Sequence, residues 1–221
     1  MSEGLINING ENVQVLQVLF LTTAITLLPS LLVMMTSFTR YIISLSFLRT
    51  AMGTQQTPPN MVLVGLALFL TLLTMSPVFA QIQTDAYEPY VAERIDEEEF
   101  IDRASVPLKG FMLDNTEWTT LRLFCDLGGI EAPADRAGAM ELPLHIIVPS
   151  FATCELKQAF VTGFLLYIPF VLIDIVVAST LMSMGMIMLP PAMISTPFKL
   201  LLFITVNGWE QLFSALVQGV R

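Results

Sequence analysis

The 221 residues are 54% hydrophobic and 13% charged, with a mean hydropathy of +0.71 and a net charge of −9. A water-soluble domain holds roughly 45–50% apolar and about 25% charged residues, so this composition excludes an ordinary soluble globule and indicates a membrane protein. With part of the 221 residues polar and about 20 needed per span, the chain holds about four apolar stretches, which excludes a large many-span transporter and makes partners necessary.

In chain order, residues 1–11 form an N-terminal tail without Lys or Arg. It lacks the charged start of a secretory signal, so either a signal was removed or the first span serves as its own insertion signal. Hydrophobic helix 1 is predicted over 12–39, where no charge falls between Asn12 and Thr39. Residues 40–59 are expected to form a cytoplasm-facing loop carrying Arg40 and Arg49, closed by the rigid pair Pro58-Pro59 ahead of hydrophobic helix 2 at 60–80. No charge occurs from Thr50 to Thr84.

The net charge is concentrated between Gln81 and Val148, where 14 Asp and Glu face 5 Lys and Arg. Residues 81–149 are therefore expected to form a separate, water-exposed acidic module on the periplasmic side. Within it, Trp118, Leu121 and Cys125 fall at helical spacing after Thr116-Glu117, and Gly128-Gly129 ends the run. A second helix is predicted from Asp96 to Ala104, its carboxylates placed where the helix dipole favours them. That acidic cluster reads as a solvated helix end or, against the absence of a calcium-loop pattern, as a cation site. The one strand-like stretch is Leu144–Val148, cut short by Pro149, and the fold class is all-α.

Hydrophobic helix 3 is predicted over 150–182, interrupted by Gly163, Pro169 and Asp174, and hydrophobic helix 4 over 199–221, with Asn207, Gly208 and Glu210 inside it. Their polar content suggests faces that meet protein or water rather than lipid alone. Between them lies a methionine-rich loop, 183–198. Met182, Met184, Met186 and Met188 recur at every second position around Gly185 and before Pro190-Pro191. In an extended segment those side chains would share one face and, repeated around an axis, form a deformable apolar collar; the other reading makes them lipid-facing or core filler.

Catalytic signatures are missing: there is no phosphate loop, HExxH, GxSxG or CxxC. An enzyme is not expected, nor is a cofactor, a metal or a nucleic-acid partner. His145 reads as structural, and Cys125 and Cys154 could pair only if the fold brought them together. The ionizable groups in or near apolar surroundings are Glu155, Lys157, Asp174, Lys199 and Glu210, each needing a partner, water or a changed protonation state. Asp174 is either a proton-relay or gating group or a polar tie between helices, with Lys199 or Lys157, from this chain or a neighbour, as its partner.

Several ordered blocks resemble a known family. They are Met34–Arg40; Pro58-Pro59-Asn60 followed by Gly65–Thr71; Glu155–Phe160; Ile168-Pro169-Phe170 with Asp174; Ser183–Pro191; and Pro197-Phe198-Lys199 with Gly208-Trp209. Together they resemble the FliP/SctR family of type III export-gate proteins, on the flagellar side. The resemblance implies four hydrophobic helical segments, arranged as hairpins that rise largely out of the membrane plane, and assembly into a helical ring. It implies five FliP copies with one FliR, FliQ packed around them, FlhB at the base, and unfolded flagellar proteins as cargo at the bacterial inner membrane. It also assigns the pore gasket to Met186, Ile187 and Met188, with Ile187 departing from an all-methionine pattern. Competing readings are a small ion- or proton-coupled transporter subunit using Asp174, and an acidic binding domain anchored by helices.

Overall fold

The computed structural model describes residues 5–8, 11–14, 19, 22–23, 26–27, 29–30, 33–186 and 188–220. Of predicted hydrophobic helix 1, 12–39, eleven residues fall outside these; 19, 22–23, 26–27, 29–30 and 33–34 are helical, while 12–14 belong to a strand instead. Strands β1 (Leu5–Ile8) and β2 (Glu11–Gln14) pair antiparallel, with Leu5 opposite Gln14 and Ile8 opposite Glu11. The sequence Asn9-Gly10 between them is of the type favoured in two-residue hairpins. Every longer element among the described residues is helical.

Helix α1 (Phe38–Met52) replaces most of the expected 40–59 loop, leaving only 53–59 as a connection. The two arginines had suggested a loop, but Tyr41, Leu45, Leu48 and Met52 recur at helical spacing and are all buried. Helix α2 (Asn60–Ile82) does not stop at 80. It passes through one π turn at Gln83–Tyr87 into α3 (Glu88–Val91), giving 32 continuous residues that enter the acidic module.

The acidic module is helical, as its periodicity predicts. Helix α4 (Glu97–Asp114) starts at Asp96, whose carboxylate accepts the Glu99 N–H at 2.9 Å. It runs ten residues beyond the expected Ala104, carrying Pro107 in its interior. Helix α5 (Trp118–Gly128) begins after Glu117 and ends at Gly129 with φ +67°. Its inner stripe is Leu121 and Cys125, while Trp118 is 43% exposed. Helix α6 (Arg136–Glu141) is capped by Asp135 on the Gly138 N–H.

Helix α7 (Leu144–Ser183) is a single run of 40 residues. The strand-like Leu144–Val148 is its first turn, and neither Pro149, Gly163 nor Pro169 ends it. At 1.5 Å per residue it is about 60 Å long, roughly twice the hydrocarbon thickness of a bilayer. Helices α8 (Pro191–Thr205) and α9 (Gly208–Gln218) meet at a 66° bend. Asn207 takes the left-handed conformation there, φ +52°. A Cβ on Gly208 would lie 2.3 Å from the Phe203 ring, so the elbow closes only around a glycine. By length and composition two helices among the described residues, Asn60–Val91 and Leu144–Ser183, can cross a membrane, or three if the bent pair is one span.

Two apolar cores result. Tyr41, Leu45, Leu48, Leu63, Ala67, Phe170, Phe203, Leu212 and Leu216 join α1, α2, α7, α8 and α9. Met75, Phe111, Met112, Leu121, Cys125, Ile147 and Phe151 join the lower part of α2 to the acidic module and the start of α7. Outside these cores α2 and α7 present large apolar side chains, including Met61, Phe69, Phe164, Leu172 and Ile175, each more than half exposed. Such continuous apolar faces mark contact with lipid or protein.

Candidate functional site

Exposed methionines give a surface that is apolar yet deformable, and the end of α7 supplies one. The helix closes in a glycine turn: Gly185 has φ +76°, its N–H donates to the Met182 carbonyl at 3.1 Å, and the Met186 N–H donates to the Leu181 carbonyl at 3.0 Å. This pairing satisfies carbonyls that a helix terminus otherwise leaves open, and glycine takes the left-handed position without a Cβ penalty. Pro190 continues in extended backbone, and Pro191 opens α8 where its missing N–H is harmless.

Met182, Met184 and Met188 are 67%, 66% and 98% exposed, and Met186 is half-buried. The extended segment with four thioethers on one face does not form, because Met182 stays helical and the Gly185 turn reverses the chain just after Met184. The loop is also shorter than 183–198, since α8 starts at Pro191. Ile187 lies outside the described residues.

Below this turn a polar cluster binds α7 to α8. Asp174 of α7 accepts from Lys199 Nζ at 2.6 Å through Oδ2 and from Ser195 Oγ at 2.6 Å through Oδ1. Lys199 also donates to the Ala51 carbonyl at the end of α1, at 3.1 Å. That carbonyl is one of the unpaired groups of a helix C-terminus, where a cation is favoured. The lysine side chain is 7% exposed and the aspartate 40%, so one member of the pair keeps contact with its surroundings.

A second cluster is drier. Arg40 of α1 makes a two-pronged ion pair with Glu155 of α7, Nε donating to Oε2 at 2.8 Å and Nη2 donating to Oε1. Its Nη1 donates to the Gly219 carbonyl beyond α9 at 2.6 Å. The two side chains are 5% and 0% exposed. Paired forks of this kind satisfy a buried carboxylate in both position and charge.

The remaining sequence-selected groups are dispersed. Lys157 is exposed rather than buried and pairs with Glu117 at the start of α5, at 2.7 Å. Glu210 and His145 are exposed. Cys125 and Cys154 are both buried and free; burial, with Asp126 adding to it, pushes the Cys125 thiol above its ordinary pKa. Among the described residues no group of three or more His, Cys, Asp or Glu could hold a metal. Sequence reasoning missed Arg40 as the partner of Glu155, and it missed Ser195 altogether. Arg40 had been read as a loop charge. Its place four residues before Ser44 and eight before Leu48, on the buried stripe of α1, was the available signal; Ser195 offered none.

Residues 21–216 match the sequence profile of the FliP family. The chain belongs to the FliP family. It is 46% identical over 213 residues to the Flagellar biosynthetic protein FliP of Aquifex aeolicus (strain VF5), covering 96% of this chain and 88% of that protein. Against the protein of the same name from Bacillus subtilis (strain 168) the identity is 46% over 210 residues, 95% of this chain and 94% of the other. The Pectobacterium carotovorum subsp. carotovorum protein is 49% identical over 203 residues, 92% and 78% of the two chains. The family assignment thus spans the methionine turn and both polar clusters of this FliP-family chain.

Proposed function

We propose that this chain is a core subunit of the flagellar type III protein export gate, lining a gated channel for unfolded flagellar proteins. The observation that carries the reading is the methionine turn itself: Met188 is 98% exposed and Met182 and Met184 about two-thirds exposed, at the tip of an α7–α8 pair held together by part-buried polar bonds. A large apolar side chain left open at a rigid tip is unfavourable in an isolated chain and useful where several tips meet. Met186, Ile187 and Met188 form the gasket, supported by Met182, Met184, Gly185, Pro190 and Pro191. An apolar constriction of this sort holds back water and ions by dewetting.

Five copies with one FliR, surrounded by FliQ and with FlhB at the base, make up the assembly. The exposed apolar faces of α2 and α7 supply surface for these neighbours and for lipid. The gate sits in the inner membrane within the flagellar basal body, with module 81–149 on the periplasmic side. Glu155, Asp174 and Lys199 hold the subunit in shape, and Lys157 ties α7 to the acidic module. The alternative of a proton-coupled transporter through Asp174 finds no support in the geometry, because that carboxylate already has a lysine and a serine as donors. The test is a Met186→Ala/Met188→Ala double variant in otherwise intact cells: ion leakage should rise while some export continues. Membranes as tight as the parent's would remove the collar from these positions.

A further inference from the structure

The end of α1 meets α8 through one hydrogen bond and leaves little room beside it at a second position. The Ala51 carbonyl accepts from Lys199, as above. Two residues on, Gly53 takes φ +74°, and a Cβ built on it would lie 3.2 Å from Thr196 Oγ1. Thr196 is itself fixed, its hydroxyl donating to the Ala192 carbonyl at 2.7 Å. Ser195, next to it, has no exposed surface and holds Asp174 of α7. Between Ser195 and the methionine turn there is only the first turn of α8, about 6 Å of helix. The far end of α1 is anchored by the Arg40–Glu155 pair. A helix fixed at one end, with its other end pressed on a second helix, moves that second helix when its free end is displaced.

We infer that the end of α1 and the 53–59 connection that leaves it act as a lever on the methionine turn, transmitting through the Ala51–Lys199–Asp174–Ser195 bonds. The lever is a means of opening or tightening the tip from the adjoining end of α1, and its functional meaning rests on the gate reading above. Ser195 is a positioning residue in it: its hydroxyl keeps α8 registered on α7 while Lys199 couples that register to α1. The connection offers Gly53, Thr54, Gln55, Gln56 and Thr57, mostly exposed and uncharged, as the handle.

The test reads amide hydrogen exchange at Met184, Gly185 and Met186, whose N–H groups close the end of α7 onto Thr180, Met182 and Leu181. It is made on the full chain in its detergent-extracted assembly. Gly53→Ala, which is strained at φ +74° and also crowds Thr196 Oγ1, should speed exchange at these amides about tenfold. Adding Thr196→Ala removes the hydroxyl it pushes against and should bring the rate back to within about twofold of the parent. No change in Gly53→Ala overturns the lever, and so does a change that Thr196→Ala leaves in place, which would mean local loosening of α1. Should Gly53→Ala fail to assemble, Ser195→Ala must speed the same amides and Ser195→Thr must not; equal rates in the two overturn the proposal. Ion leakage in the Met186→Ala/Met188→Ala variant judges the gate separately, so a lever that stands and a gate that fails are told apart.

Discussion

The two buried cation clusters do similar work in dissimilar surroundings. Arg40 and Glu155 are both sealed from solvent, share two parallel hydrogen bonds, and take in a third group from the chain's last turn. Lys199 is nearly as buried, but its partner Asp174 is 40% exposed and is shared with Ser195. A fully desolvated pair has no substitute for a lost partner, whereas a half-exposed carboxylate can turn to water or another donor. The first cluster, joining α1, α7 and the end of α9, is therefore the costlier of the two to break, and the second, joining α7 and α8, the less costly. The costlier one lies far along α7 from the methionine turn, and the other lies close to it.

The comparison can be broken most directly at Arg40. Arg40→Leu strands Glu155 without a counter-charge and should cost about 3–5 kcal/mol, seen as loss of assembled complex or a large drop in unfolding midpoint. The Arg40→Leu/Glu155→Leu double variant should recover most of that loss, since two apolar groups need no partners. Lys199→Met should cost less, about 1–3 kcal/mol, because Asp174 keeps Ser195 and partial access to its surroundings; a cost equal to that of Arg40→Leu would erase the distinction between the clusters. At the small end, Lys157→Ala removes an exposed pair with Glu117 and should shift stability by at most about 1 kcal/mol. Thermal or denaturant unfolding in one detergent, run on all four variants, ranks them.

Local signals in the sequence were enough for the acidic module. Asp96 as a cap, Glu117 as a start and Gly129 as a stop are short-range features, and each stands where its residue type predicts. Proline proved a weaker stop than expected. Pro107, Pro149 and Pro169 all sit inside helices, each giving up one backbone bond that packing on the neighbouring helices outweighs. Long-range pairing was the least legible. Arg40 and Glu155 are 115 positions apart, and a single arginine near an apolar run looks the same in a sequence whether it ends in a loop or in a core. The methionine turn was legible in composition but not in shape, because the spacing of two suggested a strand and the Gly185 turn decided otherwise.

The elbow at Asn207-Gly208 bears on a different property, the parity of membrane crossings. Helices α8 and α9 have 15 and 11 residues, about 22 and 16 Å, and neither alone matches a hydrocarbon layer of about 30 Å. Straightened, the pair would add one crossing; bent by 66° around the Phe203 ring, it can enter and return on the same side. The absence of a side chain at position 208 permits the bend, and the bend makes the pair a broken span or a re-entrant turn rather than one straight crossing.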